Sequence, residues 1–158
     1  MTNELYIERF INKEIDSVLG YLPMSGKMKV INNSFAYLDI DDNFIHHIFP
    51  LLDNNQIRKP NYFNGEKNFI GAHISTIYPE EHTNIIKNNL NESFSFEIEG
   101  LFRAHFLQKK YYILKVRSKN LLNFRLKHGL SNKLLFRGYL VDFHITIAVD
   151  EIVSDASH

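Results

Sequence analysis

The chain has 158 residues, with 18 Lys and Arg balanced by 18 Asp and Glu, eight His and no Cys. Its length fits one compact unit, and the lack of Cys excludes a disulfide scaffold, a thiolate zinc site, an iron–sulfur cluster and a cysteine nucleophile. The balanced charge argues against a protein that holds long nucleic acid by bulk electrostatics, because such proteins carry a basic excess.

The first half of the chain alternates predicted helices and strands. Apolar residues at helical spacing, β-branched and aromatic runs, and Gly, Pro and Asn breakers define the elements. In chain order they are a helix over 4–19, a strand over 28–40, a helix that Asp41 or Asp42 caps and that runs to Leu52, a loop over 53–66, a strand over 67–77 and a helix over 79–90.

The second half begins with two consecutive predicted strands. Its predicted elements are strands over 94–106 and 109–118 with a tight turn near Gln108, a helix over 119–128 between an N-cap at Ser118 and a C′ glycine at Gly129, a strand over 140–149 and a polar tail over 150–158. Each half contains a helix followed by a strand that carries His. This order predicts an α+β fold in which residues 1–158 form a single two-lobed domain.

Two of the predicted strands carry the same short pattern, a His followed two residues later by a hydroxyl. GAHISTIY contains His73 and Ser75, and DFHITIAV contains His144 and Thr146. Residues i and i+2 of a strand point to the same face, so each imidazole has a hydroxyl beside it. The alternative is a pair of strand histidines that only pack against a sheet. It is less favoured, because a buried His needs a polar partner and two identical solutions are uncommon.

This pair of H-x-[ST] strands, 71 residues apart, resembles the 2H phosphoesterase superfamily. That superfamily includes RNA 2′,3′-cyclic phosphodiesterases, once called 2′-5′ RNA ligases, and enzymes that destroy nucleotide second messengers. The resemblance covers residues 28–149 and implies two similar lobes with mainly antiparallel sheets, each supplying one His-bearing strand to a central cleft. The second motif matches the family pattern well, whereas Ser75 stands where Thr is commoner and keeps the hydroxyl.

The resemblance implies a phosphodiesterase that needs no metal or cofactor and acts on a small nucleotide or an RNA end. His73 and His144 would form the acid–base pair, because an imidazole can gain or lose a proton near neutral pH. Ser75 and Thr146 would hold the non-bridging phosphate oxygens. Which His is the base stays open. So does the substrate: a 2′,3′-cyclic phosphate, a 2′-5′ linkage, an RNA 3′ end or a cyclic dinucleotide.

Basic and aromatic residues near the motifs are further candidates for substrate binding. Arg137 and Tyr139 precede the second motif, where Arg suits phosphate oxygens and an aromatic ring can stack on a base. The alternating segment SFAYLDI makes Phe35 and Tyr37 candidate pocket residues in the same way.

Three other functions compete with the phosphodiesterase. A non-catalytic nucleotide-binding module would keep the cleft, and a protein-interaction domain would lack it or block it. A zinc hydrolase is poorly supported, because neighbouring helix residues such as His46 and His47 diverge by about 100° and cannot easily share a metal.

The expected partner is a small nucleotide or an RNA terminus as substrate, and not long double-stranded nucleic acid. The first residues lack the basic and apolar regions of a secretory signal. No apolar run approaches the ~18 residues that a membrane span needs. We therefore expect a soluble, cytoplasmic protein without a membrane partner.

Overall fold

A computed structural model describes residues 3–4, 6–52, 56–60, 70–87, 90, 92–106 and 108–151 of the chain. Its strands are β1 (Asn3–Glu4), β2 (Tyr6–Phe10), β3 (Ser25–Ile31), β4 (Phe35–Asp39), β5 (His73–Ile77), β6 (Ser93–Ser95), β7 (Glu97–Phe106), β8 (Lys109–Arg117), β9 (Leu134–Phe136), β10 (Tyr139–Val141) and β11 (His144–Glu151). Its helices are α1 (Lys13–Leu19), α2 (Asn43–His46) and α3 (Lys119–Lys127), with 3-10 turns at Phe49–Leu51 and Pro79–Glu81. None of these helices is long and apolar enough to cross a lipid bilayer.

Two antiparallel sheets of four strands carry the two motifs. The first sheet has the strand order β5-β4-β3-β6, and the second has the order β11-β8-β7-β2. A small third sheet, β1-β10-β9, contains a parallel pair between β1 and β10. The edge strands β5 and β11 contact each other, so the two His-bearing strands meet where the large sheets join. This arrangement confirms the predicted α+β fold with mainly antiparallel sheets.

The core lies against one face of each large sheet. Fully buried apolar residues from both sheets and from all three helices belong to one continuous cluster, including Leu38, Ile145, Ile15, Phe44 and Leu121. Because side chains alternate along a strand, burial of one face leaves the other for the site. On β4, for example, Ala36 and Leu38 are buried while their neighbours Phe35 and Tyr37 are only half-buried.

The helix predicted over 4–19 is wrong in its first half. Residues 6–10 form β2, which pairs with β7 so that Ile7 lies opposite Ala104. Only Lys13–Leu19 is helical, and the side chain of Asn12 caps it by accepting a hydrogen bond from the backbone N–H of Ile15 at 3.1 Å. The apolar spacing fitted a helix, but pairing with a distant strand determined the structure.

The single strand predicted over 28–40 is a hairpin. Strands β3 and β4 are joined by a turn in which Asn32 and Asn33 have φ angles of 53° and 59°, and the N–H of Ser34 donates to the carbonyl of Ile31 at 3.1 Å. Two consecutive residues with positive φ are typical of the type I′ turn that joins tight hairpins, and Asn tolerates that conformation well. The Asn pair is therefore the sequence signal for this turn.

Several other predicted elements are shorter than expected. The predicted helix to Leu52 consists of α2 and a 3-10 turn, and the helix over 79–90 shrinks to the turn at Pro79–Glu81, with residues 82–87 irregular. Strand β5 begins at His73, and 67–69 lie outside the described residues. The tail predicted over 150–158 is wrong for its first two residues, because β11 continues to Glu151; residues 152–158 lie outside the described part.

The elements between residues 93 and 129 come closest to the prediction. The long strands β7 and β8 pair antiparallel on either side of Gln108. Helix α3 begins after Ser118, whose Oγ accepts a hydrogen bond from the N–H of Leu121 at 3.0 Å. Gly129 follows the helix with a φ angle of 74°, a left-handed conformation that favours glycine.

Candidate active site

The two motif histidines are the first residues of their strands, β5 and β11, and both have the same local geometry. Nδ1–H of His73 donates to the backbone carbonyl of Gly71 at 2.9 Å, and Nδ1–H of His144 donates to the carbonyl of Asp142 at 2.8 Å. A carbonyl oxygen can only accept, so these bonds fix the proton of each neutral ring on Nδ1 and its lone pair on Nε2. The two rings thus have the same partner, the carbonyl two residues earlier.

The segment before β5 is built to hold that carbonyl in place. Gly71 has a φ angle of 82°, and a Cβ at this position would lie 2.6 Å from Oδ1 of Asp42. The same Oδ1 accepts a hydrogen bond from the N–H of Ala72 at 3.0 Å. Asp41 and Asp42 were the predicted caps of α2. Oδ1 of Asp41 accepts a hydrogen bond from the N–H of Asn43, the first residue of α2, at 2.8 Å, whereas Asp42 makes no side-chain cap bond. Its carboxylate instead anchors the residues that orient His73.

Burial keeps both rings neutral at pH 7. It lowers the pKa of His73 to about 4; the bond to Gly71 opposes this shift, and the nearby His144 adds to it. Burial also lowers the pKa of His144, against which the carbonyl and the carboxylate of Asp142 act. His144 is therefore close enough to influence the charge of His73, as expected for side chains at the junction of β5 and β11.

The two hydroxyls lie two residues further along their strands. Ser75 is buried and shares a hydrogen bond with the side chain of Tyr78. Burial raises the pKa of Tyr78 to about 12, so this hydroxyl stays protonated. Thr146 is half-buried and lies opposite Ile113 of β8. Each strand therefore presents an imidazole and a hydroxyl in the order that its sequence predicts.

A cavity of about 370 Å³ opens beside His144. Its floor is one face of the second sheet, because strand alternation places Ile7, Ala104, Ile113 and Lys115 on the same side as His144. Aromatic rings line much of the remaining wall, and they are Tyr78, Phe106, Tyr111, Phe136 and Phe143. Lys133 and Asp142 also line it. Its volume and its mixture of rings and a few charged groups are typical of a small-molecule site.

Comparison with known families identifies this arrangement. A family model described as Swiss Army Knife, 2H phosphoesterase domain, matches residues 36–152, which include both H-x-[ST] motifs. The chain belongs to the 2H phosphoesterase family. Comparison with curated proteins gave no match, and comparison with solved structures gave none either. Within the described residues of this 2H phosphoesterase, no group of three or more His, Asp or Glu side chains is placed to hold a metal ion.

Sequence reasoning missed a charged group beside His144 of the 2H phosphoesterase. Asp142 lies 3.0 Å from Nζ of Lys133 and 3.4 Å from Nζ of Lys115. Burial acts in the opposite direction, but these two lysines hold the pKa of Asp142 below its usual range. Lys115 was detectable in principle, because it is the cross-strand partner of His144. Lys133 was not, since it comes from the irregular segment after α3.

Arg137 and Tyr139 do not line the cavity but pack against residues that do. The guanidinium of the exposed Arg137 lies over the ring of Phe136, with its central carbon 5.3 Å from the ring centroid. The ring of Tyr139 packs edge-on against Phe106 at 4.8 Å. Neither is among the residues that line the cavity, although each touches a ring that does. His46 and His47 are exposed on and after α2.

Replacing Asp142 with Asn should lower the pKa of His144 further. The Asp142 carboxylate favours the protonated ring, and its loss also leaves the charges of Lys115 and Lys133 without that counter-ion. The backbone bond to Nδ1 is retained. NMR titration of the His144 ring measures the effect directly, with E97Q, a change in an exposed ion pair on β7, as the control. An unchanged or raised pKa for His144 in D142N would contradict the electrostatic role of Asp142.

Proposed function

We propose that this 2H phosphoesterase is a metal-independent phosphodiesterase that cleaves a phosphodiester in a small nucleotide or at an RNA end. The observation that carries the proposal is the matched geometry of His73 and His144, each held by a carbonyl two residues earlier and each followed by a hydroxyl. The core residues shared by both large sheets support the further proposal that residues 1–158 act as a single two-lobed domain.

The proposed chemistry is an in-line displacement at phosphorus. The Nε2 lone pair of one neutral imidazole takes a proton from the attacking hydroxyl or water, and a new P–O bond forms. The P–O bond to the leaving group breaks on the opposite side, and the other ring gives the leaving oxygen a proton that it takes up from solvent when the anionic phosphodiester binds beside it. Ser75 and Thr146 donate hydrogen bonds to the non-bridging oxygens and hold the phosphorus between the rings.

The surroundings of the two rings support a division of roles. The imidazole of His73 packs edge-to-face with two aromatic rings, Phe35 and Tyr37, at centroid distances of 6.3 Å and 5.5 Å. His144 has the ionised Asp142 beside it, which favours a proton on the ring. We therefore assign His73 as the general base and His144 as the general acid.

The cavity supports a nucleoside as the group attached on the His144 side. Flat aromatic walls suit a planar base, which stacks on such rings regardless of its identity. Lys115 and Lys133 suit phosphate oxygens as point charges. The cavity also favours this function over a protein-interaction domain, for which the cleft would be absent or blocked. The balanced charge of the chain fits short substrates rather than long duplexes.

A panel of phosphodiesters tests the proposal. The protein, treated with EDTA, is incubated with 2′,3′-cyclic nucleotides, 2′-5′ dinucleotides, RNA with defined 3′ ends and cyclic dinucleotides. We expect turnover of at least one class at the same rate with and without EDTA. Loss of turnover on chelation, restored by a divalent cation, would overturn the metal-independent mechanism. Saturable binding of mononucleotides without turnover of any substrate would favour the alternative, a non-catalytic nucleotide-binding module.

A further inference from the structure

A second surface lies beside His73, on the outward face of the first sheet. We name it the β3–β4 platform and define it by five residues, Lys27, Lys29, Ile31, Phe35 and Tyr37. The registers of the hairpin place Lys29 opposite Tyr37 and Ile31 opposite Phe35, so these side chains share one face. The residues between them, such as Met28, Ala36 and Leu38, point into the core.

Two aromatic rings of the platform connect it to the candidate active site. The rings of Phe35 and Tyr37 stack on each other with centroids 5.3 Å apart and planes at 27°. Both rings also contact the imidazole of His73. They are only half-buried, unlike the core residues that alternate with them. Phe35 also stacks on Tyr78 of the cavity wall, with centroids 6.1 Å apart and planes at 15°. A partly exposed row of stacked rings next to a phosphate-handling residue is the kind of surface on which nucleobases stack.

The charges on the platform favour a polyanion. Lys27 and Lys29 are exposed and extend from the same face as the two rings. Asp39, opposite both Lys27 and His73, lies on this face too, and burial raises the pKa of its carboxyl. The platform therefore has a small positive excess, enough to contact one or two phosphates and too small to bind long nucleic acid by charge alone.

We propose that the β3–β4 platform binds a second nucleotide of a single-stranded RNA substrate, which continues past the reacting phosphate on the His73 side. This proposal rests on the proposed function and extends it. The cavity beside His144 takes one nucleoside, and the platform takes the next base by stacking on Phe35 and Tyr37, with Lys27 and Lys29 near its phosphate. The preferred substrate is then an oligonucleotide rather than a mononucleotide.

Binding measurements test the platform without requiring turnover. The probe is a fluorescein-labelled tetraadenylate, and fluorescence anisotropy is recorded with the His144→Ala variant, so that cleavage does not interfere. F35L and Y37L, which remove a ring and keep an apolar side chain, should each weaken tetranucleotide binding roughly 5- to 150-fold. Y37F keeps the ring and should bind as tightly as the parent. Competition by AMP, which fills only the cavity, should change by less than about twofold.

The lysines have a separate readout. K27Q/K29Q should reduce the slope of log K against log salt concentration by about 1.4, because each phosphate contact to a single strand contributes about 0.7. The exposed Lys127 on α3 supplies the control variant K127Q, and the exposed Tyr21 supplies Y21L. Thermal unfolding of every variant establishes that the fold is retained.

Three results would overturn the platform. They are tetranucleotide affinity that is unchanged in F35L and Y37L, an equal loss of AMP and tetranucleotide binding, and no tetranucleotide binding at up to about 1 mM. Failure of the proposed function looks different. If no phosphodiester is turned over and tetranucleotide binding still depends on the two rings, the platform proposal holds and the protein is a non-catalytic binding module. If cyclic mononucleotides are turned over and F35L and Y37L do not change tetranucleotide affinity, the proposed function holds and the platform proposal is wrong.

Discussion

Replacing either His73 or His144 with Ala lowers kcat on the best phosphodiester substrate by about 10²- to 10⁴-fold, which is the range for losing a general acid or base. Each ring is oriented by the bond from its Nδ1–H to a carbonyl, which leaves the Nε2 lone pair for proton transfer, and alanine removes both. Steady-state kinetics on the substrate found in the panel gives kcat and KM for each variant. We expect the loss in kcat, with KM changing much less, because the acid–base contribution is made in the transition state.

The matched control is His47→Ala. His47 is exposed just after α2, so its loss removes an imidazole without touching the site. Both motif variants should unfold within a few degrees of the unmodified protein, since neither imidazole belongs to the apolar core cluster. The double variant should be no worse than about the poorer single variant, as is typical of residues that act as one unit. Wild-type turnover in the double variant would refute the acid–base roles.

The site divides into a part that local rules predict and a part that they do not. The pairing of each imidazole with its hydroxyl follows from the two-residue repeat of a strand, so His73, Ser75, His144 and Thr146 are readable from sequence. The cavity is not, because its wall combines β2, β7, β8, Tyr78 and the segment from Lys133 onwards. These segments come together only through sheet order, which no short pattern in the sequence specifies.

The errors in the predicted secondary structure also come from contacts between distant parts of the chain. Residues 6–10 have apolar spacing that suits a helix, yet hydrogen bonding to β7, about 95 positions later, makes them a strand. The hairpin of β3 and β4 is different, because its Asn32–Asn33 turn is a local signal that sequence reasoning can use. Local chemistry thus predicted the cap at Ser118, and it failed over residues 6–10, where a distant strand competed.

Arg125 is the residue whose importance the sequence conceals most. It occupies the last turn of α3, where a basic side chain normally points to solvent and complements the helix dipole. Instead it is fully buried, and its guanidinium forms a bidentate ion pair with Glu81, with Nη1–Oε1 and Nη2–Oε2 distances of 2.9 Å and 2.7 Å. Its remaining donors bond to the backbone carbonyls of Thr76, Ser131 and Lys133 at 2.9 Å, 2.8 Å and 2.6 Å. All five guanidinium N–H groups therefore have acceptors.

These bonds join the segments that form one side of the candidate site. Thr76 is in β5, one residue beyond Ser75, and Glu81 ends the 3-10 turn that follows Tyr78. Glu81 also accepts a hydrogen bond from the N–H of Tyr78 at 3.0 Å. Lys133 lines the cavity. A single guanidinium thus ties the first motif strand and Tyr78 to the segment that carries Lys133.

Breaking this pair should give the largest loss of stability of any single change considered for this protein. In R125M the Glu81 carboxylate loses both guanidinium bonds and keeps the N–H of Tyr78 as a donor, and the carbonyls of Thr76, Ser131 and Lys133 lose the guanidinium. E81Q leaves the buried guanidinium without its counter-ion. Removing one partner of a buried, hydrogen-bonded ion pair costs about 3–5 kcal/mol. Urea unfolding followed by circular dichroism measures the change in the free energy of unfolding. R125K, which keeps the charge and loses the planar fork, should fall between R125M and the unmodified protein.

The exposed pair of Arg117 and Glu97, with Nε and Oε1 3.6 Å apart, is the control within the same chain. R117M should cost less than about 1 kcal/mol, because solvent already screens that pair. The double variant R125M/E81L separates the ion pair from the backbone bonds. A charge-free isostere often restores the stability lost with an isolated buried ion pair. Here the carbonyls of Thr76 and Ser131 would still lack the guanidinium, while that of Lys133 keeps the Ser131 hydroxyl as a donor at 3.1 Å, so we expect the double variant to remain destabilised. Full recovery of stability in R125M/E81L would show that the carbonyl bonds contribute little, and an R125M cost as small as that of R117M would refute the role of Arg125.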